Sequence, residues 1–323
     1  MGAQALGFSP ADFAVTRPAA IEEIRILDWK FTFLQHGVIM FDLSNWLNQK
    51  ELDVLVTSTD GEFHSIAGEG SQYLVTTREA VLSGMPRWDR LLELSESHHG
   101  SARDLILVAP TWRKWLLPPL VPGSQKRPLD LSALESDFFR SWKAFLTDER
   151  LEKLASDHGL SVGFLPHPNL QPLLAHLELP ANVHALTYAD NNVQELIARA
   201  RLMVTDYSSI AFDAAYIHRP VAYFQFDTEH MLEGSHVGSR GYFDFDRDGF
   251  GPVTTTLDDA IREVQNLIGA DEPSPEYTAR IEQTFPDRDG SCSARVVEAV
   301  RRSTRRVDEH SVVPTPAPSR AWR

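Results

Sequence analysis

Residues 202–219, LMVTDYSSIAFDAAYIHR, run four apolar or β-branched side chains into Asp206, Tyr207, Ser208 and Ser209, then take up a helical apolar spacing. This predicts a buried strand that delivers two hydroxyls to a helix N-terminus, with Asp206 or Ser208 as cap. The unpaired N–H groups of a first turn, at the positive end of the helix dipole, attract a phosphate or pyrophosphate. The other reading is that the serines only cap the helix. In residues 31–42, FTFLQHGVIMFD, an apolar strand delivers Gln35, His36 and Gly37. An imidazole titrates near neutrality and can take a proton from an attacking alcohol, although a histidine at a strand end also serves as a structural hydrogen-bonding group. Gly37 permits close backbone approach or a positive φ. Residues 160–168, LSVGFLPHP, end a strand on His167, held between two prolines. Residues 105–113, LILVAPTWR, end on Thr111 and Arg113, which suit an anionic ligand. Arg87 lies in GMPRWD, residues 84–89, read as a turn in which it pairs with phosphate or with Asp89.

Those side chains need elements to hold them. Short β-rich runs alternate with amphipathic stretches, which predicts an α/β protein with parallel sheets. The spacing predicts strands at 31–34, 54–57, 80–83, 105–109, 162–165, 184–186, 202–205, 221–226 and 253–256. Helices are predicted near 62–68, 137–146, 149–158, 193–200, 208–217, 257–268, 275–283 and 293–302. From residue 105 the rhythm suits one complete doubly wound domain. The first hundred residues hold about three strands, fewer than an independent sheet of this kind carries. The expected division is an incomplete N-terminal Rossmann-like domain at 1–100, a C-terminal one at 101–302, and a disordered tail at 303–323. That tail is rich in Pro, Ser and Arg, with Arg305, Arg306, Arg320 and Arg323 following Arg301 and Arg302.

Composition narrows the function. With 42% hydrophobic and 24% charged residues, the 323-residue chain has an ordinary globular make-up. Its formal charge of −14 argues against a globally basic nucleic-acid binder, so no nucleic-acid partner is expected. Cys292 is the only cysteine, which removes internal disulfides and four-cysteine zinc sites and fits a reducing cytosol. No apolar run approaches the ~20 residues that span a bilayer, and the N-terminus lacks a secretion-signal pattern. Residues 244–249 open like a calcium loop, but the twelfth position is Thr255 instead of Glu. No carboxylate-rich cage is evident, so no bound cation is required, with magnesium left open. The phosphate-loop and nucleophile-elbow patterns are absent.

In order, the motifs resemble those of the CDP-glycerol glycerophosphotransferase family, which builds teichoic-acid poly(polyol phosphate). They are HG at 36–37, GMPRWD at 84–89, APTWR at 109–113, HP at 167–168, TDYSSIAFD at 205–213, RPVAYFQFD at 219–227 and RGYFDF at 240–245. The resemblance implies a GT-B-like architecture, two facing Rossmann-like domains with the site between them. It implies transfer of glycerol phosphate, or another polyol phosphate, from CDP-glycerol or CDP-ribitol to a hydroxyl of a polymer or lipid-linked primer, with release of CMP. His36 is then the general base, while His167 and Arg113 bind or neutralise the pyrophosphate. Thr111, Asp206, Ser208 and Ser209 hold donor phosphates, and Asp213 and Asp227 orient donor hydroxyls or buttress loops. Gly37, Arg87 and Arg240 support the site. A lipid-linked polyol-phosphate acceptor implies a cytoplasmic protein in peripheral contact with the anionic inner face of the cell membrane. Only 35 residues precede His36, fewer than the family places there. A late start, one piece of a longer protein, or a reduced form each account for that. The rival readings are a nucleotide-sugar glycosyltransferase of the same fold and a non-catalytic nucleotide-binding subunit.

Overall fold

The computed structural model describes residues 30–119, 121, 127–231 and 238–310, with side chains to residue 303 of the last helix. Two parallel sheets organise the chain. The first is built from β1 (Thr32–Phe33), β2 (Val54–Thr57) and β3 (Ala80–Leu82), in that spatial order. Helix α1 (Asp60–Ala67) follows β2 and α2 (Arg87–Ser97) follows β3. Thr59 starts α1 by accepting the Glu62 N–H on its side chain.

The second sheet begins with β4 (Leu105–Val108), from which α3 (Asp137–Leu146) and α4 (Glu149–Asp157) lead to β5 (Ser161–Phe164) and β6 (Val183–Ala185). Helix α5 (Val193–Arg199) returns the chain to β7 (Ala200–Thr205), and α6 (Ile210–Tyr216) leads to β8 (Val221–Phe224) and β9 (Val253–Thr254). Helices α7 (Leu257–Leu267), α8 (Pro275–Thr284) and α9 (Cys292–His310) complete it. The spatial order is β6-β5-β4-β7-β8-β9, all parallel. The chain therefore moves outward from β4 in one direction and then from β7 in the other. Ligands of such sheets sit outside the carboxyl ends of the two strands where the direction reverses.

The central strands are fully buried, as parallel strands covered on both faces must be. Along β4, Ile106 and Val108 join one core with Trp142 of α3 and Val264 of α7. Leu105 and Leu107 join the other with α5 and α6. With the two sheets in place the architecture is α/β and GT-B-like.

Two elements cross the expected division at residue 100. Helix α2 lies before it, yet Trp88 stacks on Tyr216 with ring centroids 4.6 Å apart, and Leu91 and Leu94 join the core of the second sheet. Helix α9 lies at the far end of the chain yet packs on α2 and β2. Asp89 fastens it there by accepting the N–H groups of Cys292 and Ser293, each at 2.8 Å.

Two expectations are corrected. The segment read as a turn at 84–89 opens α2, with Pro86 at the cap position, where a fixed φ favours entry into a helix. The tail expected to be disordered from Ser303 continues α9 to His310, because no Gly or Pro interrupts it between Gly290 and Pro314. Residues 311–323, with Arg320 and Arg323, lie outside the described residues. Among the described residues no helix is long and apolar enough to cross a membrane.

Candidate active site

The carboxyl end of β1 passes directly into Gln35, whose φ of +62° is unusual for a residue with a side chain. That side chain turns inward, donating through Nε2 to the Val56 carbonyl at 2.5 Å and to Glu62 Oε1 at 3.2 Å. Glu62, on α1, is fully buried and also accepts the N–H groups of Ile39 and Ser58, each at 2.6 Å. Burial pushes its carboxyl up to about 7, against the pull of those N–H groups. His36 itself is exposed at the tip of the loop.

Arg87 holds the loop from the other side. Its Nη1 donates to the His36 carbonyl at 2.9 Å, while Nε and Nη2 grip both oxygens of Asp213 at 2.8 Å each. Trp88 Nε1 adds a third bond to Asp213, also 2.8 Å. Burial disfavours the Arg87 charge, but Asp213 outweighs it and keeps the guanidinium pKa above its ordinary value. Asp213 is thus a buttress, and the partner of Arg87 is Asp213; Asp89 is committed to α9.

Gly37 brings the two halves together. A Cβ at this position would intrude on Ser209 Oγ and lie 3.1 Å from Ser209 Cβ, so the His36 loop and the Ser208–Ser209 turn are in contact. A loop of the first sheet, carrying His36, therefore meets the turn of the second that carries the two serines. Ser208 Oγ accepts the Ile210 N–H at 3.4 Å, whereas Ser209 occupies the cap position of α6 without a side-chain bond to the helix.

At the crevice between β4 and β7, Asp206 has zero exposure. Its Oδ1 accepts the N–H groups of Thr111 at 2.8 Å and Tyr207 at 2.6 Å, and its Oδ2 lies 2.9 Å from Arg113 Nη2. Arg113, also at zero exposure, grips Asp227 through Nε at 2.7 Å and Nη2 at 3.0 Å. Its Nη1 donates to the Thr111 carbonyl at 2.8 Å, and the rings of Phe138 and Tyr207 flank the guanidinium. Burial opposes this charge too, but Asp206 and Asp227 prevail, so the Arg113 pKa stands above its ordinary value. Burial pushes the Asp206 carboxyl up in spite of Arg113.

Every nitrogen of Arg113 is engaged inside the protein. Arg113, expected at the pyrophosphate, and Asp206, expected at the donor, are both turned inward here, and together with Asp227 they tie the loop after β4 to the turn after β7. A charge taken wholly out of water requires such partners. Asp206 does not cap α6 either. Thr111 keeps a hydroxyl at this crevice, buried and without a hydrogen-bond partner among the described residues.

His167 is half-buried and stacks on Trp112, ring centroids 5.7 Å apart. Its Nδ1 accepts the Asn169 N–H at 3.2 Å, which assigns the proton of the neutral ring to Nε2. Arg240 is exposed, 3.6 Å from Asp244. The neighbouring Ser239 pairs antiparallel with Asp42, so this segment straps the second half of the chain to the first. No group of three or more His, Cys, Asp or Glu is placed to hold a metal among the described residues. A groove of about 1040 Å³ opens at the amino ends of β2 and β3, lined among others by Asp53, Glu79 and Arg302, and contains none of these motif residues.

Sequence reasoning missed Glu62 and the inward role of Gln35. Glu62 sits in the first turn of α1, where an acidic residue ordinarily meets the helix dipole at the surface. Nothing local signals that the 35–39 loop covers it.

Comparison with known proteins bears on the same residues. The family described as CDP-Glycerol:Poly(glycerophosphate) glycerophosphotransferase matches residues 35–302. The chain is 31% identical to the minor teichoic acid biosynthesis protein GgaB of Bacillus subtilis (strain 168), over 90% of this chain and 31% of that protein. It is 28% identical to the teichoic acid poly(glycerol phosphate) polymerase of the same organism, over 72% of this chain and 28% of that one. It thus spans less than a third of the length of these two curated relatives. Among solved structures, the wall teichoic acid polymerase TagF matches with a TM-score of 0.56 at 19% identity, covering 87% of this chain and 69% of that chain. That likeness concerns the fold.

Proposed function

The chain belongs to the CDP-glycerol:poly(glycerophosphate) glycerophosphotransferase family, and from that premise we propose that it transfers glycerol phosphate, or another polyol phosphate, from a CDP-activated donor to a hydroxyl of a teichoic-acid-type polymer or lipid-linked primer. The observation that supports this reading is the contact at Gly37 and Ser209, which brings the loop bearing the exposed His36 against the turn bearing the two serines. In the step we infer, the acceptor hydroxyl gives its proton to His36. Its oxygen bonds to the phosphorus bearing the glycerol, the bond from that phosphorus to the bridging oxygen breaks, and CMP leaves with the electron pair. Such displacements ask little covalent work of the protein, so positioning and stabilisation of charge dominate. A general base contributes typically ~10²–10⁴-fold. Ser208, Ser209, Thr111 and the Nε2–H of His167 are the donors we assign to the phosphates. Arg87, Arg113, Asp206, Asp213 and Asp227 hold the loops that carry them.

The acceptor-side role of the first sheet, the donor-side role of the second, the lipid-linked acceptor and peripheral contact with the inner membrane face belong to this proposal. The purified chain is to be offered CDP-glycerol, CDP-ribitol and UDP-sugars with a lipid-linked primer, and the released nucleotide identified. CMP from a CDP-polyol supports phosphotransfer. UDP from a sugar donor makes it a glycosyltransferase, and donor binding without release of either makes it a non-catalytic binder.

A further inference from the structure

We propose that Glu62 is a positioning residue that holds the His36 loop in its working conformation, an inference that rests on the phosphotransfer proposed above. The loop is held at three points around the imidazole: the Gln35 side chain before it, the His36 carbonyl, and the Ile39 N–H after it. Arg87 takes the middle point, and Glu62 alone reaches the two outer ones. The carboxylate also accepts from Ser58 at the end of β2, so it fixes the loop to the strand beside it. This geometry is not relaxed. Gln35 sits at φ +62°, a conformation a non-glycine residue keeps only when its surroundings impose it. Its amide is restrained by Glu62 and by the Val56 carbonyl.

The ionised carboxylate is the form that accepts all three N–H groups. On taking a proton it converts one acceptor position into a donor: at Oε1 this costs a bond to the loop, and at Oε2 it costs the Ser58 bond that fixes the carboxyl to the end of β2. The groups that bear on its charge are Arg87 of α2, Tyr242 of the strap, and Tyr73 between α1 and β3, with Asp42 beside Tyr73. With the carboxyl raised to about 7 by burial, the hold on His36 weakens as pH falls through that value.

The test compares wild type with Glu62→Gln in the full chain. The ¹⁵N-histidine spectrum is recorded for both, with the His36 resonance identified by its loss in His36→Asn. The resonance should move in Glu62→Gln while those of His167 and His218 stay. In CMP release, kcat should fall about tenfold or more with donor affinity held within about twofold, since small misplacements of a reacting group are costly. As pH falls through about 7, log kcat of wild type should step down towards the level of the variant, and that step should be missing from the profile of Glu62→Gln. An unmoved His36 resonance with unchanged kcat overturns the proposal. If Glu62→Gln fails to fold, Gln35→Met severs one of the same bonds and must shift the same resonance; an unshifted resonance there also overturns it. Absence of turnover by wild type with every donor refutes the phosphotransfer reading, whereas the histidine spectrum judges Glu62 without it.

Discussion

Gly37→Ala is the sharpest probe of the cleft. Gly37 is not among the positive-φ residues, so a methyl group there costs nothing locally in the backbone. Its effect must come from across the cleft, where it intrudes on Ser209 Oγ and lies 3.1 Å from Ser209 Cβ. The hydroxyl can escape by rotating, at about 0.5–1.5 kcal/mol if it leaves a staggered position. In doing so it gives up the phosphate assigned to it, and a hydrogen bond to a charged group is worth about 1.5–3 kcal/mol. Donor affinity should therefore fall by roughly one to two decades. Calorimetry with CDP-glycerol at fixed ionic strength, on wild type, Gly37→Ala, Ser209→Ala and the double variant, reads this directly. Both single changes remove the same hydroxyl from the same phosphate, so the double variant should bind no more weakly than the weaker single. The coupling should then nearly equal the smaller single effect. Additive losses would mean that the two residues act separately, and the argument from contact would be wrong. An unchanged affinity in Gly37→Ala would show that the loops do not touch in solution.

Three further outcomes follow from the same geometry. His36→Asn should abolish CMP release while leaving donor affinity within about threefold, because the base stands on the opposite wall from the phosphate hydroxyls; wild-type turnover would remove His36 from the mechanism. Arg113→Met leaves Asp206 buried without its cation and should cost about 3–5 kcal/mol in denaturant unfolding with donor affinity of the folded protein little changed. The reverse pattern, lost affinity at full stability, would restore Arg113 as a phosphate ligand. Glu62, raised from 4.5 to about 7 in the folded state, contributes stability that is complete below about pH 4.5 and lost as pH rises through about 7, up to about 3 kcal/mol in all. Unfolding curves near pH 5 and near pH 8 should show this loss in wild type and lack it in Glu62→Gln.

Much of the fold can be read directly from the chain. The nine strands among the described residues lie within or beside the runs predicted for them, because central parallel strands are continuous apolar segments with little else to confuse them. Helix α2 was missed although Trp88, Leu91 and Leu94 recur at helical spacing, since Gly84 and Pro86 in front of it look like a turn. The histidine and serine segments were legible one at a time, as strand ends with reactive side chains; their contact across 172 residues was not. The roles of the charges were not. Arg113 and Asp227 are 114 residues apart, as Arg87 and Asp213 are 126 apart, and a charged residue after a strand looks the same whether it faces a ligand or a buried partner. Burial decides between the two, and burial belongs to the assembled fold.

The cleft is made of two kinds of residue with opposite environments. His36 stands exposed and Ser208, Ser209 and His167 half-buried, so each can reach a substrate. Asp206, Arg113, Asp213 and Glu62 have little or no contact with water and are satisfied by partners inside the protein. The second group nevertheless controls the first. Arg113 sets the loop after β4 against the turn after β7, and the Arg87–Asp213 pair joins α2 to α6 while gripping the carbonyl of His36. In the proposed reaction, the distance between His36 and the serine hydroxyls thus depends on ion pairs buried inside the protein. Because a misplacement of about 1 Å can cost about a hundredfold in rate, substitution of a buried member will depress turnover as well. A fall in turnover alone therefore does not tell Arg113, Asp213 or Glu62 from a reacting group. Only donor affinity and stability measured beside it separate the groups that do the chemistry from those that hold it in place.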